Sequence, residues 1–424
     1  MKKSVLALAT LATGGLACAQ SSITIFGIVD AGVSYYQTRS SYLDTGIGGD
    51  GLAHPRLTQS QTVMSTGNAL GSRLGFRGTE DLGGGWAGSF WLEAGFANDT
   101  GAGFSLNGLG FNRRSTVSLS GPIGELRLGR DYTPTFLNDN IFDPFATVGA
   151  GASVISMLLG GSGGPGTINN LIANPNYVRA NNSVSYFLPA TLGGLYGQLM
   201  YGMGENLKYD PGTNTPDTLN TARTGRYLGA RVGYASGPLD IAVSHGASTV
   251  GDDYYGGLTK RLDTSNIGGT YDFGMVKLFG EYTHIAVKND WVSQPLGTPS
   301  GDVKADGYLL GLTIPVGPGQ IRASYSYLSA DVSEAAPIGL GQDLPKPTSD
   351  KLSLGYVHNL SKRTALYATA GITRNRHGAA IPPALPPNGT VGYTSAPNSQ
   401  LFEQRSGYRA DMGYGYDVGI RHNF

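Results

Sequence analysis

Cysteine is nearly missing from the 424-residue chain: Cys18 is the only one. It sits at the expected cleavage site of a leader, so the body of the protein has no disulfide and no thiol chemistry. Charge is scarce too. Asp, Glu, Lys and Arg make up 14% of the chain, and 30 basic residues balance 30 acidic ones. That balance excludes the basic footprint of a nucleic-acid partner. Long apolar runs are lacking, since no stretch approaches the roughly eighteen residues of a membrane-spanning helix. The best one, Val148 to Leu159, is short and broken by glycine.

Ligand patterns are lacking as well. The six histidines, His54, His245, His284, His358, His377 and His422, are scattered without metal-ligand spacing. Asp252-Asp253 lacks the pattern of a calcium loop. The run Gly160-Gly161-Ser162-Gly163-Gly164 is not followed by the Gly-Lys-Ser/Thr of a phosphate cradle. No metal and no cofactor is expected. A barrel enzyme would need a positioned nucleophile, base and acid, and no histidine has a matching serine and carboxylate.

Glycine is abundant, at 66 residues, and so is tyrosine, at 24. Residues 1–19 read as a signal peptide: Met1-Lys2-Lys3 is a basic start, Val5 to Leu16 an apolar segment, and Ala17-Cys18-Ala19 a cleavage site. A lipoprotein leader would acylate Cys18, but Gly15 stands where such leaders carry an apolar residue. Removing Lys2 and Lys3 leaves 28 basic against 30 acidic residues, a balance of −2. Residues 20–424 are expected to form one domain, since no linker or shift in composition divides them.

The dominant signal is alternation with period two. Near the end, Met412, Tyr414, Tyr416, Val418, Ile420, His422 and Phe424 share one face, opposite Gly413, Gly415, Asp417, Gly419, Arg421 and Asn423. Phe90 and Leu92 likewise oppose Trp91 and Glu93. A soluble β-sandwich would alternate in the same way, but the spacing of the connections argues otherwise. Tight turns such as Gly121-Pro122-Ile123-Gly124, Ser236-Gly237-Pro238 and Asp272-Phe273-Gly274 alternate with long polar segments near Asp50, Gly103, Gly151, Pro211, Tyr254, Trp291, Pro337 and Pro386. Short turns at one end and long loops at the other predict an all-β, transmembrane, antiparallel β-barrel of about sixteen strands. A barrel of that size leaves an aqueous channel.

One connection is unusually long. Roughly fifty residues separate Arg130 from the run beginning at Val178, and they read as irregular. The expectation is that this third external loop folds into the lumen and narrows it. With Leu74 and Phe76 facing lipid, Arg73 and Arg77 point inward, and Glu93 does so opposite Leu92. Val184 and Tyr186 outward put Arg179 and Ser183 inside. For Arg113 and Arg114, alternation with Val117 and Leu119 favours Arg114, whereas a bulge would reverse the choice.

The chain resembles the general porins of Gram-negative bacteria, in particular the trimeric type of Neisseria, Burkholderia and Comamonas. The likeness rests on Ser22-Ile23-Thr24-Ile25-Phe26-Gly27, Ser72-Arg73-Leu74-Gly75-Phe76-Arg77-Gly78-Thr79-Glu80-Asp81-Leu82-Gly83, Leu128-Gly129-Arg130-Asp131-Tyr132-Thr133-Pro134, Arg179-Ala180-Asn181-Asn182-Ser183 and the terminal Phe424. It implies an outer-membrane homotrimer in contact with lipid and lipopolysaccharide, with one pore per barrel passing ions and small hydrophilic solutes. In anion-preferring members the matching arginines form a ladder. Here that ladder would be Arg73, Arg179 and one of Arg113 or Arg114, with Glu93, Asp131, Asp139 and Asp143 as acids that hold the guanidinium groups. A purely structural role for these arginines, a substrate-specific channel and an adhesive barrel are the competing readings.

Overall fold

Runs that alternate apolar with polar or small residues become strands, and the turn residues between them reverse the chain. The computed structural model describes residues 22–42, 55–105, 108–160, 172, 174–208, 221–253, 258–291, 302–332, 345–377, 379, 381–384 and 408–424. The expected leader and the loop centres near Asp50, Pro211, Tyr254, Pro337 and Pro386 lie outside them.

The strands are β1 Ser22–Tyr42, β2 Leu57–Thr66, β3 Arg73–Gly83, β4 Trp86–Gly95, β5 Arg114–Gly121 and β6 Gly124–Tyr132. There follow β7 Arg179–Phe187, β8 Leu195–Gly202, β9 Tyr227–Ser236, β10 Leu239–Asp253, β11 Leu258–Asp272 and β12 Lys277–Trp291. The last are β13 Val303–Val316, β14 Gly319–Asp331, β15 Thr348–Asn359, β16 Thr364–Arg376 and β17 Tyr408–Asn423. Neighbours pair antiparallel in chain order, and β17 closes on β1 from Ile28↔Asn423 to Tyr42↔Tyr408.

β2 and β3 are one barrel strand. Both pair with β1, from Ser40↔Leu57 to Ala31↔Thr66 and then from Ile28↔Arg73 to Ser22↔Thr79. Residues 67–72 interrupt that strand. Asp30 holds the detour, accepting from the backbone of Ala69 at 2.9 Å and Leu70 at 2.7 Å. The barrel therefore has sixteen strands, as the turn spacing implied.

Its polarity is inverted relative to a soluble protein. Val33, Leu310, Leu352 and Val418 are exposed on the outer face, whereas Ser34, Thr283, Lys351 and Asp417 are buried on the inner one. Only a surrounding apolar solvent makes such a surface stable. In that solvent every backbone group must be paired within the sheet, and closure achieves this.

The third external loop does enter the barrel, but it is not irregular. It contains helix α1, Pro134–Ile141, and helix α2, Val154–Gly160. Thr133-Pro134 is the start signal of the first helix: Thr133 Oγ1 accepts from the Phe136 backbone at 3.4 Å, and proline occupies the first turn. α1 packs on β8–β11 and α2 on β13–β15. The lumen there is apolar, with Ile155, Leu158 and Leu159 buried among Leu262, Ile285, Val287, Leu309 and Leu328.

The loop turns between the helices at Gly149 and Ala150. Asp417 takes the Ala150 N–H at 2.6 Å, and it also accepts from Ser34 at 2.6 Å and Tyr36 at 3.0 Å. Residues 379 and 381–384, at the start of the last external segment, lie on the same packing. Asn375 exchanges hydrogen bonds of 2.9 and 3.1 Å with the Ile381 backbone, and Lys351 Nζ donates to Pro383 O at 2.9 Å. Truncating a fully buried leucine costs about 2–5 kcal/mol. Leu158→Ala should leave a heat-resistant, folded barrel while loosening the loop, seen as a larger and noisier single-channel conductance in planar bilayers.

Candidate pore constriction and its basic wall

The loop covers the inner surface of β8–β17, so the side chains of β3–β7 form the wall that faces it. Glu93, on β4, is the first centre on that wall. Its Oε1 accepts from Arg113 Nε at 2.6 Å and Arg73 Nη1 at 3.3 Å, and its Oε2 accepts from Trp91 Nε1 at 3.2 Å. Tyr132, at the end of β6, is the second. Its hydroxyl accepts from Arg179 Nη2 at 2.9 Å and Arg113 Nη2 at 3.2 Å, and the Arg179 guanidinium lies 4.4 Å from its ring centroid.

Asp131 organises a third group. Arg127 Nη1 reaches it at 2.6 Å and Arg114 Nε at 3.8 Å, while Arg127 also pairs with Glu125 at 2.8 Å. Arg114 stacks 4.5 Å from the Trp91 centroid, and Arg77 lies 5.2 Å from the same ring. Six guanidinium groups, from Arg73, Arg77, Arg113, Arg114, Arg127 and Arg179, thus meet three carboxylates, from Glu93, Glu125 and Asp131. Three positive charges are left over. Arg179 has no carboxylate partner among the described residues, and its buried Nε has no hydrogen-bond partner.

These contacts bring together Arg73, Arg113, Arg114, Arg179, Glu93 and Asp131. Selecting one of Arg113 and Arg114 proves unnecessary, because both side chains join the wall. Regular alternation begins only at Arg114. Arg113 lies in the bend before β5, its N–H bonded to Glu93 O at 3.0 Å, and its side chain occupies the space above Gly95.

Asp143 does not join the wall. It is buried beneath the loop, where it accepts from the backbone of Phe145 at 2.8 Å and Thr147 at 3.2 Å. Asp139 likewise accepts from Asn266 Nδ2, at 2.7 Å, rather than from an arginine. Both acids fix the loop.

Two members of the wall were missed. Arg127 was legible, since it alternates with Leu126 and Leu128, which face outward. Tyr132 was not. A bulge shifts the β6–β7 register between Gly129 and Asp131, with Asn182 at φ 50° opposite it, so parity cannot be carried through to Tyr132 and Arg179.

Hydrogen bonds to charged groups contribute about 1.5–3 kcal/mol. Tyr132→Phe removes the acceptor shared by Arg113 and Arg179, and should lower stability by roughly that amount in urea unfolding from vesicles. A second expectation concerns Asp143, whose carboxyl is pushed by burial from 3.8 up to about 6. A raised folded pKa means stability that is complete below the unfolded value and is lost as pH rises through the folded one. The seating of the loop should therefore weaken between about pH 4 and 6, and Asp143→Asn should reduce the accompanying change in current noise.

Comparison with known proteins agrees with this geometry. The family model for Gram-negative porins matches residues 4–378. Outer membrane porin protein 32 of Delftia acidovorans is 35% identical over 428 residues, covering 100% of both chains. An outer membrane porin protein of Bordetella pertussis is 31% identical over 401 residues, covering 88% of this chain and 95% of its own. The solved anion-selective porin from Comamonas acidovorans superposes with a TM-score of 0.69 at 31% identity, over 95% of this chain and 100% of that one. The chain belongs to the Gram-negative porin family, and its barrel is an outer-membrane channel.

Proposed function

We propose that the channel is a passive, anion-preferring diffusion pore for small hydrophilic solutes, working as a homotrimer with one pore per barrel. The observation that carries the anion preference is the excess of three guanidinium charges on the wall facing the inserted loop. Fixed charge at a constriction sets ion preference because low-dielectric walls focus its field across the narrow water column. Arginine suits the task, since it stays protonated and is weakly hydrated.

The carboxylates position the guanidinium groups but are too few to neutralise them. Arg179 is held only by a phenol and its ring, so its charge is offset by no carboxylate among the described residues. The solved relative described as anion-selective supports the reading, as does its full-length alignment with this chain. The homotrimer rests on the resemblance to trimeric porins.

Screening makes the proposal quantitative. The Debye length is about 10 Å at 0.1 M salt and about 3 Å at 1 M. Anion preference, read as the reversal potential across a KCl gradient in planar bilayers, should therefore fall as mean salt rises between these limits. Arg73→Ala combined with Arg179→Ala should move the reversal potential toward zero at low salt. A cation-preferring wild type, or a double variant that behaves like it, would refute the proposal.

A further inference from the structure

The basic wall continues past the constriction. Beyond Arg73 and Glu93, toward the tight turns of the periplasmic end, alternation carries Phe26, Arg77 and Trp91 inward on β1, β3 and β4. Their outward neighbours Ile25, Phe76 and Leu92 lie on the other face. Arg77 is the register partner of Trp91, and Phe26 that of Gly75, where a Cβ would collide with the Phe26 ring. The Phe26 and Trp91 rings meet edge to face, 5.0 Å between centroids. The Arg77 guanidinium lies over both, 5.3 Å from the Phe26 centroid and 5.2 Å from that of Trp91.

Arg77 differs from the other arginines of the wall in what holds it. Arg73, Arg113 and Arg127 each donate to a carboxylate, and Arg179 is buried against Tyr132. Arg77 is exposed, and among the described residues its guanidinium touches only the two rings, with no carboxylate and no hydrogen-bond acceptor. Phe26 and Trp91 are half-buried. Since all three point inward, the surface they leave open belongs to the lumen. A full charge with its N–H donors thus meets water beside two partly open aromatic rings.

Charge alone would serve any anion. The rings add a second demand, because a solute gains from them only when it brings an aromatic surface of its own. Chloride leaves them wet. A benzoate-sized anion can turn its carboxylate to the Arg77 guanidinium in a paired, charge-assisted contact and lay its ring against Phe26 and Trp91. An aliphatic carboxylate of equal charge makes the first contact and lacks the geometry of the second.

We infer that Arg77, Phe26 and Trp91 form a subsite for aromatic carboxylates on the periplasmic side of the constriction, which holds such anions in the channel rather than merely admitting them. The inference rests on the anion preference proposed above and goes beyond it, since a wall that selects on charge alone would not tell an aromatic acid from an aliphatic one.

Chloride current through single channels in planar bilayers, titrated with benzoate, cyclohexanecarboxylate and acetate, tests it. Benzoate should halve the current at a concentration about fivefold below that of cyclohexanecarboxylate, the factor one aromatic contact supplies, and further below that of acetate. Trp91→Leu should close the gap between the two ring acids. Because Trp91 also donates to Glu93, Phe26→Leu repeats the test without removing that bond, and heat resistance reports folding in each case. Arg77→Gln should weaken the block by both ring acids about tenfold. The KCl reversal potential of the wild type separates the two proposals. An anion-preferring wild type that benzoate blocks no better than cyclohexanecarboxylate overturns the subsite and leaves the selectivity reading standing. So does a benzoate block that survives Arg77→Gln or either ring variant. A cation-preferring wild type overturns the selectivity reading and the subsite together.

Discussion

Everything in this molecule depends on β17 meeting β1. The outer solvent offers no hydrogen bonds, so an open sheet would leave two unpaired edges in hydrocarbon, at several kcal/mol for each unsatisfied group. The ladder from Ile28↔Asn423 to Tyr42↔Tyr408 removes both edges. At the inner end, Phe424 and Gly27 exchange two backbone hydrogen bonds of 3.1 Å, and the terminal ring fits because Gly27 has no side chain there. Closure then divides the side chains into an apolar outside and a mainly polar inside, and it creates a lumen that must be partly filled.

The filling explains the function. One half of the lumen is lined by apolar residues of β11–β14, and the loop with α1 and α2 covers them. The other half keeps its arginines, because each is held by Glu93, Tyr132, Asp131 or an aromatic face. Apolar side chains of β11–β14 receive the loop together with Asn266, Arg231 and Asp417, while the facing wall holds net positive charge. The pore is therefore electrically asymmetric by construction, even though the whole chain carries no formal net charge.

Strand alternation and turn spacing carried the barrel, its number of strands and the inward direction of Arg73, Arg77, Arg114 and Glu93. Those signals are local, since each residue's side follows from its neighbours. What failed was non-local or lay where parity breaks. Arg113 stayed open against Arg114 because it precedes the regular strand, and Tyr132 escaped because of the bulge after Gly129. Asp143 looked like a guanidinium partner on charge alone, but two backbone N–H groups of its own turn claim it. The helix at Pro134 was legible through Thr133 and was masked by the length of the surrounding loop. The apolar patch inside the barrel is invisible to alternation, which reports opposite faces but not which solvent each one meets.

The central claim is that the wall of β3–β7 presents uncompensated positive charge to the channel. Crystals soaked separately in bromide and in rubidium salts locate anions and cations by their anomalous scattering. The account predicts bromide peaks beside Arg179, Arg73 and Arg114, between that wall and the inserted loop, and no rubidium there. Rubidium on that wall, or bromide absent from it, would contradict the account.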